Sequence, residues 1–157
     1  MKTKRHGKTA HMAVKLDMSK AYDKVEWDFI RIMMLKMGFD GQWVHLIMQC
    51  IQSVSYSIMI NGEPVGYIKP SRGIRQGDPL SPYLFLTCAE GLTALLQNAE
   101  SSGQLRGLSI CRGGTIINHL FFADDSLLFC RATVAESQAL TAILDIYEKV
   151  SGQKLNY

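Results

Sequence analysis

Apolar and polar positions alternate along this chain with two different periods, and the period changes several times. Residues 12–17 (MAVKLD) alternate with a period of two, which predicts a short strand with Met12, Val14 and Leu16 on one face. Asp17 would leave the C-terminal end of that strand on the opposite face, away from the apolar layer.

Two helical patterns follow. The first has the i, i+3, i+4, i+7 spacing of a buried helical face at Ile30, Met33, Met34 and Met37. Gly38 suits the position after the last turn of this helix.

The second helix begins at a capping residue, Asp40, whose carboxylate can accept from the first free backbone N–H groups. The predicted apolar face of this helix consists of Trp43, Leu46, Ile47, Cys50 and Ile51. His45 lies off that face, so we expect a solvated or partner-facing histidine there and not a metal ligand.

Residues 54–69 predict a β-hairpin, because an alternating run meets an Asn61-Gly62 turn and then returns. The next segment, 71–85, begins as a loop rich in glycine and proline. Its Ser81-Pro82 pair predicts the cap and first turn of a helix that runs to about Ser101. The apolar face of that helix would be Leu84, Phe85, Cys88, Leu92, Leu95 and Leu96.

The last third of the chain predicts two hairpins and a helix. A small hairpin around Gly113-Gly114 precedes a second one over residues 119–131 (HLFFADDSLLFCR), whose apolar arms we expect in the core. Asp124 and Asp125 occupy its tip. The predicted core residues of the arms are Phe121, Phe122, Leu127, Leu128 and Phe129.

A capping box, Thr133-Val-Ala-Glu136, opens the final helix. This helix would end at Ser151-Gly152 and bury Leu140, Ile143, Leu144, Tyr147 and Val150.

This order of elements predicts an α+β fold, with an antiparallel sheet and helices packed mainly on one face. No linker divides the chain, so we expect a single domain over residues 1–157. Residues 1–9 (MKTKRHGKT) are basic and aperiodic. We favour a flexible tail with solvated charges there over an ordered arm that contacts phosphate.

Composition narrows the functional classes without choosing among them. The chain has 157 residues, 47% hydrophobic and 20% charged, which is typical of a soluble globular domain. A net charge of +3 permits a nucleic-acid partner but does not require one. No apolar run reaches transmembrane length and the N-terminal stretch does not resemble a signal peptide, so we expect no membrane partner.

The four cysteines are widely spaced and include no Cys-x-x-Cys pair. We therefore expect buried thiols in a reducing, intracellular compartment, nucleus or cytoplasm, and neither a zinc site nor disulfides. The residues concerned are Cys50, Cys88, Cys111 and Cys130.

Three carboxylates are the candidate catalytic residues. If the strand of Asp17 neighbours the hairpin of Asp124 and Asp125, the three side chains converge. Such a cluster repels itself without a cation, and hard carboxylate oxygens suit Mg²⁺. Two ions about 3.5–4 Å apart would support phosphoryl transfer. An Asp-Asp pair between apolar runs is equally compatible with ordinary turn chemistry, so these residues alone leave both interpretations open.

Three stretches together resemble a known family. They are LDMSKAYD (16–23), GIRQGDPLSPYLF (73–85) and FADDSLLF (122–129). In order and spacing they are similar to three successive palm motifs of reverse transcriptases, and most similar to the non-LTR, LINE-type retrotransposon group. The resemblance covers essentially the whole chain. It implies a polymerase palm and RNA-directed DNA polymerase activity with an RNA template, a DNA primer and dNTPs; protein partners stay unknown.

The resemblance also implies roles for the acids. Asp17, Asp124 and Asp125 would hold two Mg²⁺ ions, with Mn²⁺ as a substitute, that align the primer 3′-OH with the incoming dNTP. Tyr22 matches the steric gate whose ring excludes a ribose 2′-OH, although an ordinary half-buried tyrosine is the simpler interpretation without the motif.

The resemblance also implies roles for residues of the loop before the third helix. Gln76 and Gly77 match the loop beside the nascent base pair, whereas Arg75 would either contact phosphate or be solvated. Most of the fingers and the whole thumb would lie outside these 157 residues. A truncated, catalytically inactive retroelement remnant with weak nucleic-acid binding is therefore the alternative. An unrelated α+β binding module would leave the three linked motifs unexplained.

Overall fold

The computed structural model describes residues 10–111, 113–122 and 125–156. Eight strands and four helices are assigned within these ranges. In chain order they are β1 (His11–Ser19), α1 (Trp27–Lys36), α2 (Gly41–Gln52), β2 (Tyr56–Ile60), β3 (Glu63–Ile68), α3 (Ser81–Ser101), β4 (Leu108–Ser109), β5 (Ile116–Ile117), β6 (His119–Phe122), β7 (Asp125–Arg131), α4 (Val134–Ser151) and β8 (Lys154–Asn156).

The main sheet has four strands in the order β6-β7-β1-β8, and every pairing in it is antiparallel. One buried cluster joins the inner face of this sheet to α1, α2, α3 and α4. The predicted α+β class, with helices mainly on one face, is confirmed. None of the described helices is both long and apolar enough to cross a bilayer.

Strand β1 divides its side chains as predicted. Leu16 and Met18 are buried, whereas Lys15 and Asp17 are exposed on the other face. Asp17 does not end the strand, however, because pairing with β8 extends β1 to Ser19. The predicted end was wrong because the partner strand lies at the far end of the chain, where no local pattern could indicate it.

The first two helices occupy their predicted segments, but their buried faces differ from the prediction. Met37 lies after the end of α1 and is exposed, while Ile30 and Met34 are buried. In α2 the Asp40 carboxylate accepts from the backbone N–H of Gln42 at 2.8 Å, which confirms the cap.

The buried face of α2 consists of Val44, Ile47 and Met48. Trp43, Leu46 and Cys50 were predicted in the core but are exposed, whereas His45 is exposed as expected. Apolar side chains cover most of the circumference of this helix, so periodicity alone allowed two faces.

The hairpin predicted over residues 54–69 is confirmed as β2 and β3. Asn61 and Gly62 have the positive φ that its turn requires. The short β4–β5 pair confirms the small hairpin. The apolar face of α3 is also confirmed, but its cap is not. Ser81 lies inside the helix and is buried, and the Asp78 carboxylate accepts from the N–H of Leu80 at 2.8 Å.

Two of the four cysteines are buried, and two are not. Burial raises the pKa of the Cys88 thiol to about 12, and burial also raises the pKa of Cys130. Cys50 and Cys111 are exposed, which contradicts the prediction of four buried thiols. Cys50 lies on the outer side of α2, and Cys111 lies in the loop after β4.

Strands β6 and β7 form the predicted acidic hairpin, but its arms are only partly in the core. Phe122 is 83% exposed and Leu127 is 38% exposed, while Leu128 is buried. The helices cover one face of this hairpin and leave the other open. Ala123 and Asp124, like the basic stretch 1–9, lie outside the described residues.

The start of α4 forms only half of the predicted capping box. The Thr133 hydroxyl accepts from the Glu136 N–H at 3.3 Å. The Glu136 carboxylate accepts elsewhere, from the backbone N–H of Arg131 at 2.8 Å and of Arg106 at 3.2 Å, and from the Arg131 guanidinium. It does so because the end of β7 brings Arg131, and the segment between α3 and β4 brings Arg106, to the buried side of the helix start.

Burial alone would raise the pKa of Glu136, but the donors from Arg131 and Arg106 outweigh it and hold the pKa below its ordinary value. A lowered folded-state pKa contributes stability that is complete above the unfolded value of about 4.3 and is lost as pH falls through the folded value.

We therefore expect Glu136→Gln to lower the free energy of unfolding by about 1–3 kcal/mol at neutral pH. The difference from the parent chain should shrink as pH falls below about 4, because protonation removes the same carboxylate from the parent. Urea titrations across this pH range measure both effects. Glu63→Gln, at an exposed carboxylate of β3, is the control. A deficit that stays constant down to about pH 3 would contradict this account.

Candidate active site

The register of β1 against β7 sets two of the three predicted acids directly opposite each other. Asp17 is the Cα partner of Asp125, and both side chains lie on the exposed face of the sheet. Opposed side chains in an antiparallel pair have Cβ atoms about 4.5–5.5 Å apart. The same row continues to Asn156 on β8 and to Phe122 on β6. The sheet therefore carries two carboxylates side by side at one end of its open face.

A lysine accompanies the acids. Lys15 Nζ lies 3.0 Å from Asp125 Oδ1, and both side chains are more than half exposed. An ion pair this exposed contributes about 0–1 kcal/mol to stability. Its local effect is electrostatic, since a positive charge beside the carboxylates offsets part of their mutual repulsion.

The donor set fits a hard divalent cation. The carboxylates of Asp17 and Asp125 offer oxygen ligands on an open face, where water and phosphate oxygens can complete a coordination shell. No group of three metal-ligating side chains occurs within the described ranges, which exclude the third predicted ligand, Asp124.

Tyr22 lies in the turn between β1 and α1, and its half-buried ring stacks on Phe85 of α3. The ring centroids are 5.1 Å apart and the planes are 10° from parallel. Such pairs contribute about 0.5–1.5 kcal/mol beyond their buried area. The Tyr22 carbonyl accepts from the Ile74 N–H at 2.9 Å, which attaches this turn to the loop before α3.

Gly73 allows the loop to approach that turn closely. Its N–H donates to the Val25 carbonyl at 2.8 Å, and its own carbonyl accepts from the Trp27 indole N–H at 2.7 Å. Its φ is +86°, and a Cβ atom there would lie 2.7 Å from the Asp23 carbonyl oxygen. Only glycine fits both the conformation and the space.

The three predicted residues of the same loop, Arg75, Gln76 and Gly77, are exposed. Gly77 also has a positive φ, +84°, but nothing lies within 4 Å of the place where a Cβ atom would be. The loop thus presents these residues outward while Gly73 and Ile74 anchor it to the Tyr22 turn.

Lys15, Phe85 and Asn156 were not singled out as functional residues from the sequence. The alternation of β1 placed Lys15 on the same face as Asp17, so this neighbour could have been found. Phe85 was predicted as core, but its stack on Tyr22 depends on long-range packing. Asn156 joins the acidic row only through the register of β1 with β8, which no local pattern specifies.

The sequence is similar to known proteins along almost its whole length. A family model described as reverse transcriptase (RNA-dependent DNA polymerase) matches residues 1–156. The Pol polyprotein of the R2 retrotransposable element of Popillia japonica is 31% identical over 150 residues, which cover 96% of this chain and 23% of that protein. That of element R2DM of Drosophila melanogaster is 29% identical over 152 residues, 97% of this chain and 13% of that protein.

A shorter match is to an uncharacterized mitochondrial protein of Arabidopsis thaliana. It is 53% identical over 68 residues, which cover 43% of this chain and 56% of that protein. The chain thus spans little more than half the length of this relative, and less than a quarter of the R2 polyproteins.

Solved structures of telomerase share the fold. That of Candida albicans, in complex with a fragment of telomeric RNA, has a TM-score of 0.69 at 14% identity and covers 94% of this chain and 26% of that one. Apo telomerase from Candida tropicalis has a TM-score of 0.67 at 11% identity, with coverage of 98% and 30%. At these identities the likeness concerns the fold alone.

Gly73 and Gly77 allow a matched test of how closely the loop before α3 approaches the Tyr22 turn. Gly77→Ala should cost about 1 kcal/mol, because only its backbone conformation is strained. Gly73→Ala should cost about 2–4 kcal/mol, because its Cβ would also collide with the Asp23 carbonyl. Equal losses in urea titrations of the two variants would contradict the close approach at Gly73.

Proposed function

Because this chain belongs to the reverse transcriptase (RNA-dependent DNA polymerase) family, we propose that it forms the palm of an RNA-directed DNA polymerase of a non-LTR retrotransposon. The register that opposes Asp17 and Asp125 on the open face of the sheet carries the proposal. The R2 polyproteins among its relatives support the same assignment. The proposed substrates are an RNA template, a DNA primer with a free 3′-OH, and dNTPs.

Asp17, Asp124 and Asp125 would hold two Mg²⁺ ions, for which Mn²⁺ can substitute. Ions held there would supply Lewis-acid activation of the primer 3′-OH and would stabilise charge on the departing pyrophosphate. The chain contributes carboxylates at a fixed spacing, because Asp17 and Asp125 stand on strands joined by a continuous register over seven residue pairs. Lys15 balances charge beside them when no cation is bound.

Tyr22 would select the sugar. The Ile74 N–H bonds its backbone carbonyl and Phe85 stacks on its ring, so the ring cannot turn aside without losing packing. A ring held in this way would collide with a 2′-OH and leave room for 2′-deoxyribose.

The loop before α3 would face the nascent base pair. Gln76 can hydrogen-bond the nucleotide or the template, and Gly77 presents backbone without a Cβ to obstruct the pair. Arg75 would make a charge-assisted bond to phosphate. The exposure of all three residues supports this role.

The metal assignment predicts a Mg²⁺-dependent activity. With the sequence in its full-length coding context, Asp17→Asn and Asp124→Asn should each reduce primer extension on an RNA template to background, because each removes a charged oxygen ligand. Asp145→Asn, at an exposed position of α4, is the matched control and should extend normally.

Normal extension by either site variant would refute the ligand assignment. Background extension by the unsubstituted chain would overturn the proposed activity and leave the inactive retroelement remnant.

The steric gate predicts a change in sugar selectivity. Tyr22→Ala should lower the preference for dNTP over rNTP by about tenfold or more, since the colliding ring is gone. Single-nucleotide incorporation with matched dNTP and rNTP measures this ratio. Tyr67→Ala, which removes an exposed ring in β3, should leave it unchanged. A Tyr22 variant with the parental ratio would show that another group reads the sugar.

A further inference from the structure

A buried carboxamide connects the Tyr22 turn to the end of α4. Gln153 is fully buried, and its Nε2 donates to the Ala21 carbonyl at 3.1 Å. Its Oε1 accepts from the Tyr147 hydroxyl at 2.5 Å. Buried polar groups are retained where they are bonded, and this amide is bonded at both ends.

The same network reaches the helix on which Tyr22 stacks. The Tyr147 hydroxyl lies 3.3 Å from the carbonyl oxygen of Cys88, three residues after Phe85 in α3. Burial raises the pKa of Tyr147, so its hydroxyl keeps its proton and remains a donor. One phenol and one amide therefore connect both elements that meet in the Tyr22–Phe85 stack.

Backbone contacts hold the turn at the same end of α4. The Glu26 N–H donates to the Ser151 carbonyl at 2.9 Å. A Cβ atom on Gly152 would lie 2.5 Å from the Lys24 carbonyl oxygen. The turn is thus supported on one side by the loop at Gly73 and on the other by the segment 151–153.

We propose that Gln153 is a positioning residue for Tyr22. Its carboxamide fixes the Ala21 carbonyl, and thereby the orientation of the next residue, whose ring stacks on Phe85. The inference rests on the proposed role of Tyr22 as the sugar gate. Because backbone pairing of β1 with β7 places Asp17 and Asp125 independently of this amide, its loss should change sugar selectivity more than the rate with dNTP.

Two variants in the full-length chain should lower sugar selectivity to different extents. Gln153→Met keeps the length and bulk of the side chain but removes both polar ends, and should lower the dNTP-to-rNTP ratio of kcat/KM by about fivefold to tenfold with kcat for dNTP little changed. Tyr147→Phe leaves the bond to Ala21 and removes one bond to the amide, so it should shift the ratio less, in the same direction.

Matched controls separate positioning from general destabilisation. Ile143→Val removes one buried methyl from α4 and should lower thermal stability with an unchanged ratio. In a Tyr22→Ala background, Gln153→Met should lower the ratio no further, because the ring that it positions is absent.

Amide hydrogen exchange of the 157-residue chain tests the same claim without catalysis. Gln153→Met should raise exchange at Ile74, which donates to the Tyr22 carbonyl, by about tenfold. Ile143→Val should not.

The role of Gln153 and the gate role of Tyr22 can fail separately. An unchanged ratio in Gln153→Met, alongside a lowered ratio in Tyr22→Ala, overturns the role of Gln153 and leaves the gate intact. An unchanged ratio in Tyr22→Ala overturns the gate itself. Unchanged exchange at Ile74 shows that Gln153 does not order the turn and overturns the inference whatever the activity.

Discussion

The antiparallel register between β1 and β7 ties the burial of the core to the placement of the acids. Leu16 and Leu128 are almost completely buried on the inner face, and burial of each such side chain contributes about 1.5–3 kcal/mol. A slip of β1 by one residue would move Leu16 to the open face and carry Asp17 inward. The free energy that drives leucines into the core therefore also holds two like charges side by side.

The Tyr22 turn is the second place where distant segments of the chain determine local geometry. Gly73 and Ile74 contact it from the loop before α3, Phe85 stacks on its ring, and Gln153 bonds its backbone from the end of α4. These supports come from three parts of the sequence, so the ring orientation is a property of the assembled fold. Under the proposed gate role of Tyr22, residues that never touch the nucleotide would also affect sugar selectivity.

Local signals in the sequence predicted the elements well, and long-range contacts account for what they missed. The Asp40 cap and the Asn61-Gly62 turn act within a few residues, so their predictions are confirmed. The Glu136 carboxylate bonds the end of β7 instead of its own helix cap, which depends on tertiary placement. Exposed Phe122 likewise follows from which face of the hairpin the helices leave open. The three motifs indicated the family, but only the register brought Asp17 opposite Asp125.

The position at which a divalent cation binds can be located directly by NMR. Mn²⁺ added to the 157-residue chain broadens the NMR signals of amides near its site. We expect the strongest broadening at Asp17 and Asp125, a decline along both strands toward Met12 and Cys130, and loss of the effect in Asp17→Asn. Broadening centred on another part of the chain, or unchanged by Asp17→Asn, would contradict the claim that strand pairing builds the cation site.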